Sequence, residues 1–259
     1  MVTELRLKMC STQSGTQVSE RYFTNPLKLG FPRTYGKRRK VVLMMASAGV
    51  LKGDCFDYKI RLEENSCAEL TEQSYTKLFQ MGTDGQAQKK VEITVEQGAS
   101  FYYKPCALIP FKNSCFCGET VVYLEKDSEF AYCDILSAGR IAMGEKFAFR
   151  KYRNKTRIYI DHTLSMVDAC QLEPKKYDYT NPVYFGDYTH QGCFYYYGKD
   201  EKMEQLLQTA CELQKKSTHM YCGVSQAKRG VCIRGLANSA QDLEEYFGHM
   251  AKLTGMEAE

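Results

Sequence analysis

Apolar and polar residues alternate with a period of two along most of the first 198 residues, and this is the pattern of half-buried β-strands. The clearest runs are VVLMMAS (41–47), DYKIRL (57–62), KVEITVE (90–96), TRIYIDHTL (156–164) and CFYYYG (193–198). Tyrosine favours strands, and many of the chain's 19 tyrosines lie in strand-like runs. The pattern predicts a mostly β protein.

A strand–turn–strand pattern recurs in this part of the chain. The three copies are LEENSCAEL (62–70), VEQGASFYY (95–103) and LEKDSEFAY (124–132), with offsets of 33 and 29 residues. Their centres carry the turn formers Asn65, Gly98 and Asp127. A unit that recurs at this period predicts strands stacked as a β-helix-like coil or a sandwich. Three unrelated hairpins are the alternative.

The helical pattern is confined to the end of the chain. Apolar residues keep a spacing of three to four from Asp200 to Lys216, and a second helix is predicted to begin at Ser239, with Asp242 completing a weak capping box. Between these helices, two strands are predicted around a basic turn at Gln226–Gly230. This predicts two α-helices toward the C-terminus, flanking a hairpin.

The whole chain, 1–259, is predicted to form a single domain. It comprises a β-rich body at 1–198 and a helix–hairpin–helix end at 199–259. No linker rich in Gly, Pro or Ser divides the chain, and 172–188, with Pro174 and Pro182, is predicted to be a long surface loop.

The segment SAGVLKGD (47–54) has the ingredients of a phosphate-binding loop but not their order. A Walker loop requires a lysine after its last glycine and then a helix. Here Lys52 precedes Gly53, Asp54 follows it, and another strand is predicted next. A tight connection between strands, with glycines where φ is positive, is the better interpretation.

Composition narrows the function classes. The chain is 44% hydrophobic and 25% charged, with a formal charge of +4, and its basic clusters are not interleaved with aromatic residues. Nucleic-acid binding is therefore not expected. No apolar run is long enough for a membrane span or a signal peptide, and with 12 cysteines this predicts a cytoplasmic protein with reduced thiols and no membrane partner.

Two short elements are candidates for chemistry. Cys115 and Cys117 would point the same way on a strand, although their spacing does not match a zinc knuckle. The turn containing Gly139-Arg140 and Gly144-Glu145 places an arginine near a glutamate, which is either a structural ion pair or a binding feature. A strand with alternating Phe147, Phe149 and Tyr152 is predicted to follow this turn. No signature of a catalytic serine or cysteine is present.

Several of these segments together resemble the urease accessory protein family called UreD, or UreH in some operons. The first matching set is Gly49, Gly53, Asp54, Thr71, Gln73, Thr76 and Lys77. The second set is Gly139, Arg140, Gly144, Glu145 and Phe147, and ALIPF (107–111) and GVSQAKRGVCIRGLA (223–237) also look like family stretches. The likeness runs from about residue 18 to 254 in consistent order. It departs at Ser47-Ala48, at Lys52 and over 172–193.

The resemblance implies a non-enzymatic role and a flattened β-helix with two helices. Family members bind the accessory protein UreF, recruit the GTPase UreG through it and dock on the urease apoprotein. The resemblance also implies an internal polar channel that carries a nickel ion in transit, with no tightly bound cofactor and no stable metal site. The candidate channel lining is Asp54, Asp134 and Glu145 with Thr71 and Ser74 as neutral groups.

Two other function classes are left open by the residues. One is a hydrolytic metalloenzyme that uses Asp54 and Glu145. The other is a stand-alone β-helical binding module that uses tyrosine-rich faces.

Overall fold

The computed structural model describes residues 2–30, 33–216, 219–227 and 229–257, and it is mostly β. In chain order the strands are β1 (Val2–Thr12), β2 (Gly15–Phe23), β3 (Leu27–Leu29), β4 (Arg33–Tyr35), β5 (Arg38–Met45), β6 (Cys55–Leu62), β7 (Cys67–Gln73), β8 (Thr76–Leu78), β9 (Ala87–Val95), β10 (Ser100–Lys104), β11 (Leu108–Pro110), β12 (Cys115–Leu124), β13 (Glu129–Ser137), β14 (Lys151–Ile160), β15 (Thr163–Leu172), β16 (His190–Tyr197), β17 (Met220–Ala227) and β18 (Gly230–Ala237). The helices are α1 (Asp200–Lys216) and α2 (Ala240–Leu253), with a short 3-10 helix at Ile141–Met143.

The strands form two sheets, and the chain passes back and forth between them. The first sheet has the order β15-β14-β12-β9-β6-β1-β2. The second has the order β17-β18-β16-β13-β10-β7-β5-β3, extended by β4, β8 and β11. Neighbours from successive passes pair in parallel, as in β6–β9–β12 of the first sheet and β7–β10–β13 of the second. This stacking is solenoid-like and confirms the β-helix-like prediction.

The three repeated segments are the corners where the chain crosses from the first sheet to the second. Asn65, Gly98 and Asp127 have φ values of 56°, 67° and 58°, in the left-handed region that Gly, Asn and Asp tolerate best. The residues that follow these turns lie side by side, because Cys67 pairs with Ser100 and Ser100 pairs with Glu129. The loose repeat in the sequence therefore corresponds to stacked coils.

Alternation along the strands creates two apolar layers. The inward residues of both sheets, such as Ile60 and Ile93 from the first and Leu70 from the second, pack between the sheets. The opposite side of the second sheet is covered by α1 and α2 through residues such as Leu206 and Leu243. The Ser239 side chain accepts a hydrogen bond from the Asp242 N–H at 3.1 Å, which confirms the predicted start of α2.

Two strand predictions were wrong in detail. The segment 156–164 is not one strand, because Asp161 and His162, with φ of 47° and 62°, form the turn between β14 and β15. The strand predicted through Phe147, Phe149 and Tyr152 begins later than expected, because β14 starts only at Lys151 and Phe147 has a φ of 53°.

The remaining elements follow the sequence pattern closely. The predicted hairpin is β17–β18, and Lys228 in its turn lies outside the described residues. No strand or helix interrupts the described residues 173–189, as expected for a surface loop. Among the described helices, none combines the length and hydropathy that a membrane span needs.

Candidate functional site: a polar cavity between the sheets

A cavity of about 480 Å³ lies between the two sheets, and we call it the intersheet cavity. Strands β6, β9, β12 and β14 of the first sheet line one wall. The opposite wall comes from β5, β7, β10 and β13 of the second. Its exposed rim includes Ser47, Gln73 and Ser74. The volume is large enough to hold several water molecules.

Charged side chains reach this cavity because they fall in phase with apolar residues on their strands. Glu72 lies on the same face of β7 as Ala68 and Leu70, and Lys89 lies on the same face of β9 as Val91 and Ile93. Since alternate residues of a strand face the same side, these charges point between the sheets.

Asp134 obeys the same rule on β13, because it alternates with the intersheet residues Phe130, Tyr132 and Leu136. Tyr132 also belongs to a ladder of stacked rings that forms part of the wall, with centroids 5.6 Å from Tyr103 and 5.7 Å from Tyr195. Burial raises the pKa of Tyr103 and of Tyr132 well above the ordinary value. Their hydroxyls therefore remain neutral.

An ion pair crosses the cavity near its rim. The Lys89 Nζ lies 2.7 Å from the Glu72 Oε1, and only 21% and 10% of these side chains are exposed. The Tyr103 hydroxyl donates to the same carboxylate at 3.1 Å, and the Lys89 ammonium lies 4.9 Å from the Tyr58 ring centroid. The Glu72 carboxylate is thus held in place by a neutral hydrogen-bond donor and a cation.

A second carboxylate lies deeper. The Asn154 side-chain amide donates to the Asp134 Oδ2 at 2.6 Å. Burial raises the pKa of Asp134 to about 6, although the Asn154 hydrogen bond opposes this rise. Asp134 retains intermediate exposure because it faces the cavity. At neutral pH it is a carboxylate held in an environment that disfavours its charge.

Gly118 leaves room between these two polar pairs. In the first sheet, Gly118 pairs with Lys89 on one side and with Asn154 on the other. A Cβ at position 118 would lie 2.4 Å from the Asn154 Oδ1, which is closer than real contacts allow. The glycine therefore lets the Asn154 side chain lie over its backbone and turn toward Asp134.

A smaller cavity of about 30 Å³, which we call the inner cavity, continues the polar lining beyond Asp134 and Asn154. It includes Asp168, whose carboxylate lies 2.6 Å from the Arg234 Nη2 and also accepts a hydrogen bond from Tyr195. The polar groups between the sheets thus run from Glu72 through Asp134 to Asp168.

The cysteines are free thiols, and all 12 lie within the described residues. Cys106 lines the intersheet cavity and Cys170 the inner cavity, where burial raises their pKa values to about 12 and about 11. A protonated thiol is a poor metal ligand. No group of three or more metal-ligating side chains is close enough to hold an ion within the described ranges, and Cys115 and Cys117 do not form such a group.

Residues matched to the family pattern meet at the rim of the intersheet cavity. Gly49, Gln73 and Lys77 all line it. The Val50 N–H donates to the Lys77 carbonyl at 2.8 Å, and a Cβ on Gly49 would lie 2.5 Å from that same oxygen. Gly49 is therefore required where the loop packs on the segment that carries Lys77.

The candidate lining residues fall into different places. Asp134 and Ser74 line the intersheet cavity. Thr71 lines an adjoining pocket of about 170 Å³ beneath α2, to which Ser74 also contributes.

Asp54 is not among the residues that line the intersheet cavity, because its carboxylate accepts the Leu51 N–H at 2.8 Å within the surface turn that contains Gly53. This agrees with the turn interpretation of the SAGVLKGD segment and with the strand that follows it.

Glu145 also lies away from the cavity lining. Its carboxylate receives two hydrogen bonds from the Arg140 guanidinium, at 2.9 and 2.5 Å, and one from the Lys112 N–H at 3.1 Å. The Arg140 hydrogen bonds hold the pKa of Glu145 below its usual value. Gly139 is required beside this pair, because a Cβ there would lie 2.4 Å from the Glu145 carbonyl oxygen. A Cβ on Gly144 would meet open space, but its φ of 74° favours glycine. The Arg140–Glu145 ion pair therefore stabilises the turn that contains it.

Comparison with known proteins supports the resemblance across the whole chain. The family model described as UreD urease accessory protein matches residues 2–258. The chain is 33% identical over 243 residues to a urease accessory protein UreH of Helicobacter hepaticus, covering 93% of this chain and 94% of that protein. It is 32% identical over 232 residues to a urease accessory protein UreD of Acetivibrio thermocellus, covering 88% of each chain. These proteins are named as accessory proteins and not as enzymes. The chain therefore belongs to the UreD family of urease accessory proteins.

Proposed function

We propose that this chain is a non-enzymatic scaffold for urease maturation and that nickel ions pass through its intersheet cavity. In this role it binds the urease apoprotein and UreF directly and recruits the GTPase UreG through UreF. The observation that carries the proposal is the row of carboxylates between the sheets, Glu72, Asp134 and Asp168, reached from an open rim. Nickel is the cargo of this passage and not a resident cofactor.

The ligand chemistry of the cavity suits transfer better than storage. Carboxylate, phenol and amide oxygens bind first-row divalent ions less tightly than thiolates or imidazoles do. The nearby thiols of Cys106 and Cys170 remain protonated, because burial raises their pKa values. A nickel ion would therefore meet successive oxygen ligands, none of which belongs to a closed set of side chains.

The test is an activation assay with Asp134→Asn, in which the urease apoprotein is matured with UreF, UreG and nickel. We expect slower and less complete activation, while gel filtration shows that the complex still assembles. Asp127→Asn is the matched control, because Asp127 is exposed and asparagine also accepts its left-handed φ of 58°. Full activation by Asp134→Asn would contradict the proposal that nickel passes through the intersheet cavity.

Asp54→Ala and Glu145→Ala test whether nickel passes through the intersheet cavity or beside the other two carboxylates that the sequence predicts as channel lining. Both side chains lie outside the cavity and stabilise local turns. We expect these variants to activate urease once they are folded, so a specific activation defect with normal assembly would place the path elsewhere.

A further inference from the structure

The ion pair between Glu72 and Lys89 connects opposite walls of the intersheet cavity. Glu72 belongs to β7 of the second sheet and Lys89 to β9 of the first, and their charged atoms lie 2.7 Å apart. Both side chains line the cavity just inside its rim. An ammonium group therefore occupies the position beside Glu72 that an entering metal ion would take.

Glu72 remains a supported carboxylate without this ammonium. The Tyr103 hydroxyl donates to the Glu72 Oε1 at 3.1 Å and stays neutral because burial raises its pKa. One hydroxyl cannot compensate the charge of a carboxylate that is only 10% exposed. Removal of the ammonium would leave a site that favours another cation.

Lys89 has a second favourable position close by. Its Nζ already lies 4.9 Å from the centroid of the Tyr58 ring, within the range of a cation–π interaction. The flexible four-carbon stem allows the ammonium to move toward that ring without a change in the backbone. The pair can therefore open while Lys89 stays charged.

We propose that Lys89 is a tethered cation that gates the intersheet cavity by ion exchange, so that a divalent metal ion enters only by replacing its ammonium at Glu72. No covalent bond changes in this step, and Lys89 keeps its proton. A monovalent ion carries the same charge as the ammonium and gains little by replacing it, whereas a divalent ion is attracted twice as strongly. The inference rests on the proposed function for the identity of the cargo.

The experiment measures Ni²⁺ binding to the full chain by calorimetry, without urease. Lys89→Met removes the charge and keeps most of the stem, and we expect it to bind Ni²⁺ roughly tenfold to a hundredfold more tightly than the wild type, as loss of one charged hydrogen bond implies. The double variant Glu72→Gln/Lys89→Met should lose this gain. Lys90→Met is the matched control, because Lys90 is the next residue of β9 and is exposed.

Two results would contradict the proposal that Lys89 gates the intersheet cavity. One is Lys89→Met that binds Ni²⁺ no more tightly than the wild type and Lys90→Met. The other is a double variant that binds as tightly as Lys89→Met, because Glu72 would then not be the exchange site.

Lys89→Arg decides the question if Lys89→Met does not fold. A guanidinium binds a carboxylate through two parallel hydrogen bonds, so this variant should hold Glu72 more tightly, lower the Ni²⁺ affinity about tenfold and lengthen the lag in urease activation. Wild-type affinity and activation would contradict the gate. Failure of the passage is seen separately, as full activation by Asp134→Asn, and it would leave these affinities unchanged.

Discussion

Asp134→Asn should stabilise the apoprotein at neutral pH even though it lowers urease activation. The native structure holds the Asp134 carboxyl with a pKa of about 6, above the ordinary value of 3.8, mainly because it is buried. Asparagine resembles the neutral acid in shape, and its oxygen can still accept the 2.6 Å hydrogen bond from Asn154. The substitution therefore removes a charge that the folded state disfavours.

The magnitude follows from the difference between the two pKa values. At about 1.4 kcal/mol per pKa unit, this difference corresponds to about 3 kcal/mol at pH 7. The cavity has room for water, which would solvate the carboxylate and reduce this difference, and the new amide N–H groups require acceptors. We therefore expect a gain of roughly 1–3 kcal/mol, or about 2–10 °C in Tm for a chain of this size.

The sign of the pH dependence is specific. As the pH rises from about 4 to about 6, the unfolded chain loses the Asp134 proton before the native protein does. Wild-type stability therefore falls across this window because of Asp134, and the variant lacks this contribution. The difference in Tm should be near zero at pH 4 and should reach its full value by pH 7.

Thermal unfolding in a chelating buffer, from pH 4 to 7.5, measures this difference, with Asp127→Asn as the control. A variant that is less stable than the wild type at pH 7 would contradict the reasoning. So would a Tm difference that does not change between pH 4 and 7, because it would come from packing and not from the carboxylate charge.

Three further outcomes are expected. Gly118→Ala should displace the Asn154 side chain, whose Oδ1 lies 2.4 Å from the added Cβ position, and should slow urease activation. Gly223→Ala is the control, because a Cβ there has open space. Equal activation by both variants would show that Gly118 is not needed for urease activation. Burial alone would raise the pKa of Glu129, but hydrogen bonds from Lys202 and Tyr196 hold it below the usual value, so Glu129→Gln should lose about 2 kcal/mol of unfolding free energy near pH 7. That loss should shrink as the pH falls below about 4.5, and chemical denaturation at several pH values measures it; a loss that is constant with pH would point to packing. Thiol titration of the denatured, unreduced protein should detect all 12 cysteines, and a much smaller number would reveal disulfides.

Local signals were sufficient to predict the coils. Asn65, Gly98 and Asp127 are residues that accept a left-handed backbone, and each one lies where the chain turns from the first sheet to the second. The capping serine of α2 is equally local. The turn at Asp161 and His162 was missed because its flanks, TRIYI and TLSM, also alternate and because histidine is a weak turn signal.

Which residues line the intersheet cavity depends on how the coils stack, and a single sequence does not show this stacking. Asp54 and Glu145 looked suitable because each is an acidic residue beside glycines, yet that setting describes an exposed turn in which the carboxylate caps backbone N–H groups. The sequence predicts Asp134 as a lining residue. It gives no signal for the partner Asn154, because the two residues are 20 positions apart and lie on opposite sheets.

A usable signal for Glu72 and Lys89 was nevertheless present in the strand pattern. Each is a charged residue that continues the inward-facing apolar set of its strand, after Ala68 and Leu70 on β7 and before Val91 on β9. A single charge in such a phase would be costly to bury, so its presence implies a partner of opposite sign or a water-filled space. Two such charges of opposite sign on consecutive passes of a coil imply both a partner and the place where they meet. The same phase rule separates Lys89 from its neighbour Lys90, and for that reason one methionine substitution should alter nickel binding while the other should not.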